Sequence, residues 1–229
     1  MTKPKVTIDV VSDVVCPWCY IGKRRLEKAI EQLKDKLDVE LHYHAFELNP
    51  NVPKNGYDQK AYLVEKFGGE ERYEHLTNNV SSVAAQEGLH FNYALQKKSP
   101  NTFDAHRIIW LAAKEGKQLQ IVEAFFKAYF EEGVDLTQQD NLISIASANG
   151  LDAGKVRELL NSDEGTQEVR EREIVNGKQG ISGVPFYIIN NKYGISGAQP
   201  TEVFAEALPD IASKELAQGE ACDIDGNNC

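Results

Sequence analysis

Two cysteines separated by two residues, Cys16-Pro17-Trp18-Cys19, carry the sharpest chemical spacing in the chain. A β-branched run, Lys5 to Val11, precedes them and a helical pattern follows, so the pair falls where a strand hands over to a helix. Helical residues three apart rise by about 4.5 Å and sit on adjacent faces, so their sulfurs can join and part with little backbone movement. Cys16 then occupies the helix N-terminus, where free N–H groups and the positive end of the helix dipole stabilise a thiolate. Pro17 suits the first helical position because it has no N–H to leave unpaired. Cys19 lies one turn inside, is expected to be less exposed, and is placed to resolve a mixed disulfide formed at Cys16. Trp18 is expected on the surface, where it and Pro17 offer apolar contact to a peptide or to glutathione.

The other cysteines, Cys222 and Cys229, lie in a polar tail that begins near Gly219. A four-cysteine zinc site made with Cys16 and Cys19 is one reading. Six residues separate Cys222 from Cys229, whereas zinc pairs have about two to four. The strand-to-helix setting of the first pair favours redox use, so no metal is assigned. A flexible linker makes ring closure easy, so Cys222 and Cys229 are either a second redox pair exchanging with the first or a tail that oxidises incidentally.

The rest of the chain must position these groups. After the first strand, Leu26, Ile30, Leu33 and Leu37 place one helical face inward, and Val39 to Phe46 reads as a second strand stopped by Asn49-Pro50. From Tyr57 to Asn161 only helical periods appear: around Tyr73 to Val83, Thr102 to Lys114, Leu119 to Phe130, Gln138 to Ala148, and a helix capped by Asp152. A helix from Ser162 to Lys178 leads to a hairpin, Phe186 to Ile189 and Lys192 to Ser196, turning at Asn190-Asn191, before a last helix through Val203 and Ile211.

A second element bears on the first. Gly183-Val184-Pro185 stands just before the hairpin, and Val184-Pro185 is a candidate cis bond. A cis Pro185 would present the Val184 backbone to an extended peptide by strand addition.

With 229 residues the chain amounts to roughly one and a half domains, at about 150 residues each. Lys+Arg 25 against Asp+Glu 35 gives a net charge of −10, which repels phosphate backbones and anionic lipid, so no nucleic acid and no membrane is expected as a partner. Asp9 and Asp13 break the apolar stretch that a secretory signal needs, and no run reaches the ~18 apolar residues of a membrane span. A cytoplasmic location is therefore expected, where static disulfides are disfavoured.

Five motifs in order carry a resemblance over nearly the whole chain. Cys16-Pro17-Trp18-Cys19-Tyr20-Ile21-Gly22, Phe46-Glu47-Leu48-Asn49-Pro50, Asn101 to Arg107, Gly183-Val184-Pro185-Phe186 and Gly197-Ala198-Gln199 resemble the FrnE-type branch of the DsbA family. The resemblance implies an α/β thioredoxin-like fold with an inserted all-helical domain, residues 1–50 plus 162–229 around an insertion of 51–161. It implies thiol-disulfide oxidoreductase or isomerase activity, with Cys16 as nucleophile, Cys19 as resolver, Pro185 cis and Val184 beside the substrate. Partners would be protein or peptide thiols and disulfides; glutathione is admitted as a co-substrate, and no cofactor is held tightly. Cys222 and Cys229 resemble the second cysteine pair that a FrnE-type C-terminal extension can carry.

The chain also departs from the family. Periplasmic DsbA proteins have a His between the cysteines; Trp18 supplies no positive charge, which argues against a strongly oxidising potential. Val10 stands about where DsbA-like proteins place an acid, so the proton acceptor for Cys19 stays open between Asp9, Asp13 and others. Kappa-class glutathione transferases and 2-hydroxychromene-2-carboxylate isomerases resemble this chain too, but use Ser at the position of Cys16; their chemistry is the alternative. His106, beside Arg107 on a helix that the resemblance turns toward the redox site, is a candidate substrate contact or a packed histidine. His42 and His44 share a strand face but lack a third ligand, and Lys23, Arg24 and Arg25 read as a solvated helix face.

Overall fold

The structure is a computed structural model that describes residues 3–220; Cys222 and Cys229 lie outside them. Strand β1 (Lys5–Ser12) is buried on both faces because it is central: β2 (Asp38–Ala45) pairs with it in parallel and β5 (Phe186–Ile189) antiparallel. A parallel partner requires a crossover, and α1 (Pro17–Leu33) provides it. Pro17 opens the helix, Leu26, Ala29 and Leu33 bury its inner face, and Leu37 packs in the turn beyond the helix end. β6 (Tyr193–Ser196) completes the sheet in the order β2-β1-β5-β6. The hairpin turns at Asn190 and Asn191, with φ of 50° and 55°, the positive values that a two-residue turn of this hand demands and that Asn tolerates. The last helix, α9 (Thr201–Glu220), packs on α1 through Phe204 and Leu208.

Between β2 and β5 the chain builds β3 (Tyr57–Asp58), α2 (Gln59–Phe67), α3 (Glu70–Gln86), β4 (Lys98–Ser99), α4 (Phe103–Lys114), α5 (Gln118–Phe130), α6 (Gln139–Ala148), α7 (Ala153–Leu160) and α8 (Thr166–Lys178). Helices α4, α5 and α8 rest on β2, so one hydrophobic core runs from Val6, Ile8 and Val10 of the sheet to Ile108, Phe125 and Phe126 of the helices. At the β2 edge the Gln118 side chain occupies both main-chain groups of Tyr43: its Oε1 accepts from the N–H at 2.8 Å and its Nε2 donates to the carbonyl at 2.9 Å.

Four expectations change. β2 stops at Ala45, because Leu48 N–H goes instead to the Asp13 carboxylate at 2.8 Å. The intervening segment is not all helical: β3 and β4 form a two-stranded ribbon too short to show a period. Helix α2 was not legible as a period, yet it has an Asp58 cap on the Ala61 N–H and a left-handed stop at Gly68, φ 84°. Helix α8 starts at Thr166 rather than Ser162, because Arg107 holds the carbonyls of Leu159, Ser162 and Glu164, and Gly165 takes φ 76° against the Trp110 ring. Among the described residues no helix is long and apolar enough to cross a membrane.

Candidate active site

Cys16 is the N-cap of α1, with extended backbone (φ −90°, ψ 112°), and its side chain makes no capping bond. Its N–H donates to Asp13 O at 3.0 Å, and its carbonyl accepts from the Cys19 N–H at 3.1 Å, which fixes the first turn. The sulfur is thereby turned outward from the helix toward the loop before β5. Its Sγ lies 3.7 Å from the Val184 carbonyl, and the Val184-Pro185 bond is cis. The structure brings Cys16, Cys19, Val184 and Pro185 together from positions far apart in sequence.

Both cysteines are free thiols. The expected contrast in exposure is small: Cys16 is 4% exposed and Cys19 2%, because α1 packs the motif into the core. Burial pushes the Cys19 thiol well above the ordinary value, and the adjacent Cys16 sulfur adds to this, while the Ser12 hydroxyl and the Asp13 backbone oppose it. A proton held that firmly keeps Cys19 a thiol until a step demands its thiolate.

Trp18 is the exposed member of the motif at 39%. With Pro17 it forms one wall of a cavity of about 240 Å³ that reaches toward α2 and α3, bounded by Leu48, Tyr62, Leu76 and Tyr93 among others. Leu76, which the helical period would bury with Tyr73 and Val80, instead lines this opening. Val184 and Pro185 flank Cys16 outside the cavity, whose wall takes in Pro17 and Trp18 of the motif.

His106 does not line the cavity. It is 4% exposed behind Asp13, with Nε2 3.1 Å from Phe46 O and 3.4 Å from Asp13 Oδ1. Burial alone would lower its pKa, but Asp13, with Glu173 and Glu47 farther off, raises it. Asp9 is engaged elsewhere, with His44 Nε2 at 2.5 Å, and His42 faces Glu40 at 3.3 Å. No cluster among the described residues could hold a metal ion.

The solvated helix face is a correction. Lys23 is 4% exposed, and it and Arg24 converge on Glu123 of α5, Lys23 Nζ at 2.6 Å and Arg24 Nη1 at 3.0 Å, with the Tyr20 hydroxyl donating to Glu123 at 2.9 Å. Burial would raise the Glu123 pKa, but Arg24 and Lys23 take it down to about 2. Arg25 bonds Glu87 at 2.7 Å and the Ala198 carbonyl at 2.7 Å. The cationic run thus bolts α1 to α3, to α5 and to the loop after β6.

Gly22 was visible only as part of a motif. It is buried in α1, and a Cβ there would lie 2.2 Å from the Tyr187 hydroxyl and 3.2 Å from Pro185 Cγ. The absence of a side chain lets the Pro185 loop close on the helix. Asn49 of the cavity was visible only as part of a motif, and Gln96 gave no signal in sequence, since nothing local marks a polar residue that folding carries to a motif so distant.

A four-stranded mixed sheet with a dithiol at a helix N-terminus beside a cis proline defines a thioredoxin-like redox fold. The sequence profile of the DsbA-like thioredoxin domain matches residues 7–209, and the chain belongs to that family. YwbO of Bacillus subtilis (strain 168), an uncharacterised protein, is 28% identical over 224 residues, 92% of this chain and 99% of its own. The crystal structure of a probable DsbA oxidoreductase, SCO1869 from Streptomyces coelicolor, matches with a TM-score of 0.85 at 34% identity, over 92% of this chain and 91% of that one. A 2-hydroxychromene-2-carboxylate isomerase is similar in fold alone, with a TM-score of 0.68 at 15% identity over 93% of this chain and 98% of that one.

Proposed function

We propose that the protein is a thiol-disulfide oxidoreductase and isomerase of the FrnE-type branch, with Cys16 as nucleophile and Cys19 as resolving thiol. The observation that carries the reading is the Cys16 sulfur at a helix N-terminus, 3.7 Å from the Val184 carbonyl, with Cys19 buried one turn behind. The Cys16 thiolate attacks one sulfur of a substrate disulfide; a mixed disulfide forms and the other substrate sulfur leaves as a thiolate. Cys19 then loses its proton and attacks Cys16, releasing the second substrate thiol and closing Cys16–Cys19. Two electrons have passed to the substrate, and a thiol pool, with glutathione as a member, reopens the pair. The reverse sequence oxidises, and release before resolution isomerises.

In this reading the Val184 backbone pairs with an extended substrate, and Pro17 and Trp18 contact its side chains. His106 acts through Asp13 rather than on substrate. Residues 1–50 with 162–229 form the thioredoxin-like unit and 51–161 the insertion, and the setting is the cytoplasm. Cys222 and Cys229 serve as a second pair that exchanges with the first. Insulin reduction and reactivation of scrambled ribonuclease test the central claim. Cys16→Ser abolishes both, and Cys19→Ala accumulates a mixed disulfide visible by mass; unchanged rates in Cys16→Ser refute it. Glutathione conjugation that survives Cys19→Ala would instead favour transferase chemistry.

A further inference from the structure

Pro185 has no N–H to give, so the backbone that faces Cys16 is secured through its carbonyl, which accepts from the Gly197 N–H at 2.8 Å. The place of Val184 therefore depends on the segment after β6. There the Ala198 carbonyl accepts from Arg25 Nη1 of α1 at 2.7 Å. Gly22, one turn earlier on the same helix face, lets that segment approach, since a Cβ on it would already lie 3.3 Å from Ala198 Cβ. Arg25 stands six residues beyond Cys19, about 9 Å along the helix axis. One helix thus carries the dithiol at its start and, farther along, the side chain that holds the loop opposite. The guanidinium is itself oriented. Its Nε donates to Glu87 Oε1 at 2.7 Å, while Oε2 of the same carboxylate accepts from Lys28 Nζ at 2.6 Å. Glu87 is the C-cap of α3, so both cations also meet the negative end of that helix dipole. The side chains of Arg25 and Glu87 are only 16% and 12% exposed, which leaves their pairing little screened by solvent.

We propose that Arg25, oriented by Glu87, is the positioning residue that sets the Val184 backbone where an extended polypeptide can pair with it beside Cys16. The inference rests on the thiol-disulfide reading above and assigns the register of substrate pairing to a side chain that bonds neither sulfur. A planar guanidinium fixes two directions at once: one N–H lies on the Glu87 carboxylate and another points at the Ala198 carbonyl. An ammonium brings the charge without that fixed angle, so lysine is not an equivalent here. Without the fork, Ala198 and Gly197 are released from α1, and the Pro185 carbonyl bonded to Gly197 shifts with them. Strand pairing at Val184 then weakens, whereas Cys16 keeps its place, because the first turn of α1 is fixed by its own bonds to Asp13 and Cys19.

The test uses the full chain and two readouts: steady-state insulin reduction with dithiothreitol as the reductant, and the rate at which iodoacetamide alkylates Cys16, followed by peptide mass. Alkylation needs the sulfur but no paired strand. In Arg25→Met, which keeps an apolar stem and removes the fork, KM for insulin is expected to rise about tenfold with kcat held within about twofold, the scale of one main-chain hydrogen bond lost from binding. Alkylation should stay within about twofold, and Arg25→Lys should fall between the two proteins in KM. An unchanged KM in Arg25→Met overturns the inference. So does an equal fall in insulin reduction and alkylation, which would place the effect on the sulfur, and so does full rescue by Arg25→Lys, since charge alone would then suffice. Should Arg25→Met fail to fold, Glu87→Gln keeps Arg25 and removes the charge that orients it; a rise in KM of about threefold is expected there, and no rise overturns the inference. If the unaltered protein reduces no insulin, or Cys16→Ser reduces it equally well, the thiol-disulfide reading itself fails. Reduction that depends on Cys16 but shows no KM shift leaves that reading standing and removes only the role of Arg25.

Discussion

Replacing Gly22 by alanine adds one methyl group where α1, β5 and the Pro185 loop converge. Its Cβ would stand 2.2 Å from the Tyr187 hydroxyl, 3.2 Å from Pro185 Cγ and 3.3 Å from Ala198 Cβ. Reaching an ordinary contact requires Tyr187 to move by about 1 Å, and close-packed interiors resist such shifts. Tyr187 is 0% exposed and its ring lies edge-on to Phe204 at 4.9 Å, so it has little room to yield. Overpacking of this kind costs about 1–3 kcal/mol, and the better helix propensity of alanine returns about 1 kcal/mol. The expected net is a loss of up to about 2 kcal/mol, a fall in Tm of up to about 8 °C for a chain of this size. The motion also displaces Pro185, and with it the carbonyl that faces Cys16. An error of about 1 Å in such a site costs about tenfold to a hundredfold in rate, so insulin reduction should fall by that factor.

Calorimetry and the reduction assay read the two effects separately, and Tyr187→Phe sharpens them. The Tyr187 hydroxyl is buried without a partner, so its removal alone is expected to be neutral or stabilising. In the double variant the alanine should cost less, with a coupling of about 1 kcal/mol in a double-mutant cycle. A Gly22→Ala protein that melts no lower and reduces insulin at the original rate refutes the reasoning, because it would mean that the loop does not press on the helix there.

Other outcomes follow from the same geometry. Glu123→Gln leaves Lys23, 4% exposed, with less counter-charge, and a loss of about 2 kcal/mol in urea unfolding is expected after allowing for the partial exposure of the carboxylate. Because the Glu123 pKa drops from 4.5 to about 2 on folding, its contribution is full above about pH 4.5 and disappears as pH falls toward 2; Glu123→Gln should flatten that limb of the stability curve. His106 has the opposite sign: its pKa is raised above 6.5, so its stabilisation is full below that pH and is lost as pH rises through the raised value, a slope that His106→Gln should remove from Tm measured across neutral pH.

The site's chemical core was readable in sequence because its signals are local. Cys16-Pro17-Trp18-Cys19 between a β-branched run and an apolar helical stripe states a strand, a helix start and a dithiol within one short window. Asn190-Asn191 declares its turn by residue type alone, since few other pairs take positive φ together. Lys23, Arg24 and Arg25 misled because charge in sequence says nothing about a counter-charge a hundred residues away; Glu123 becomes the partner of Lys23 and Arg24 only once α5 is laid against α1. His106 was placed on the right helix, but the sequence could not show that Asp13 would stand between it and the cavity. The ribbon of β3 and β4 and the cavity-lining Gln96 are products of tertiary folding, with no periodicity to announce them.

The Gln118 amide that bridges both main-chain groups of Tyr43 makes the sheet a one-ended object. A side chain there imitates a fifth strand for the length of a single residue, and a foreign strand seeking that margin would first have to evict it. Growth by strand addition is left to the opposite margin, along Tyr193–Ser196. A margin already filled from within cannot be capped by a stray extended chain, nor can copies of the protein polymerise through it.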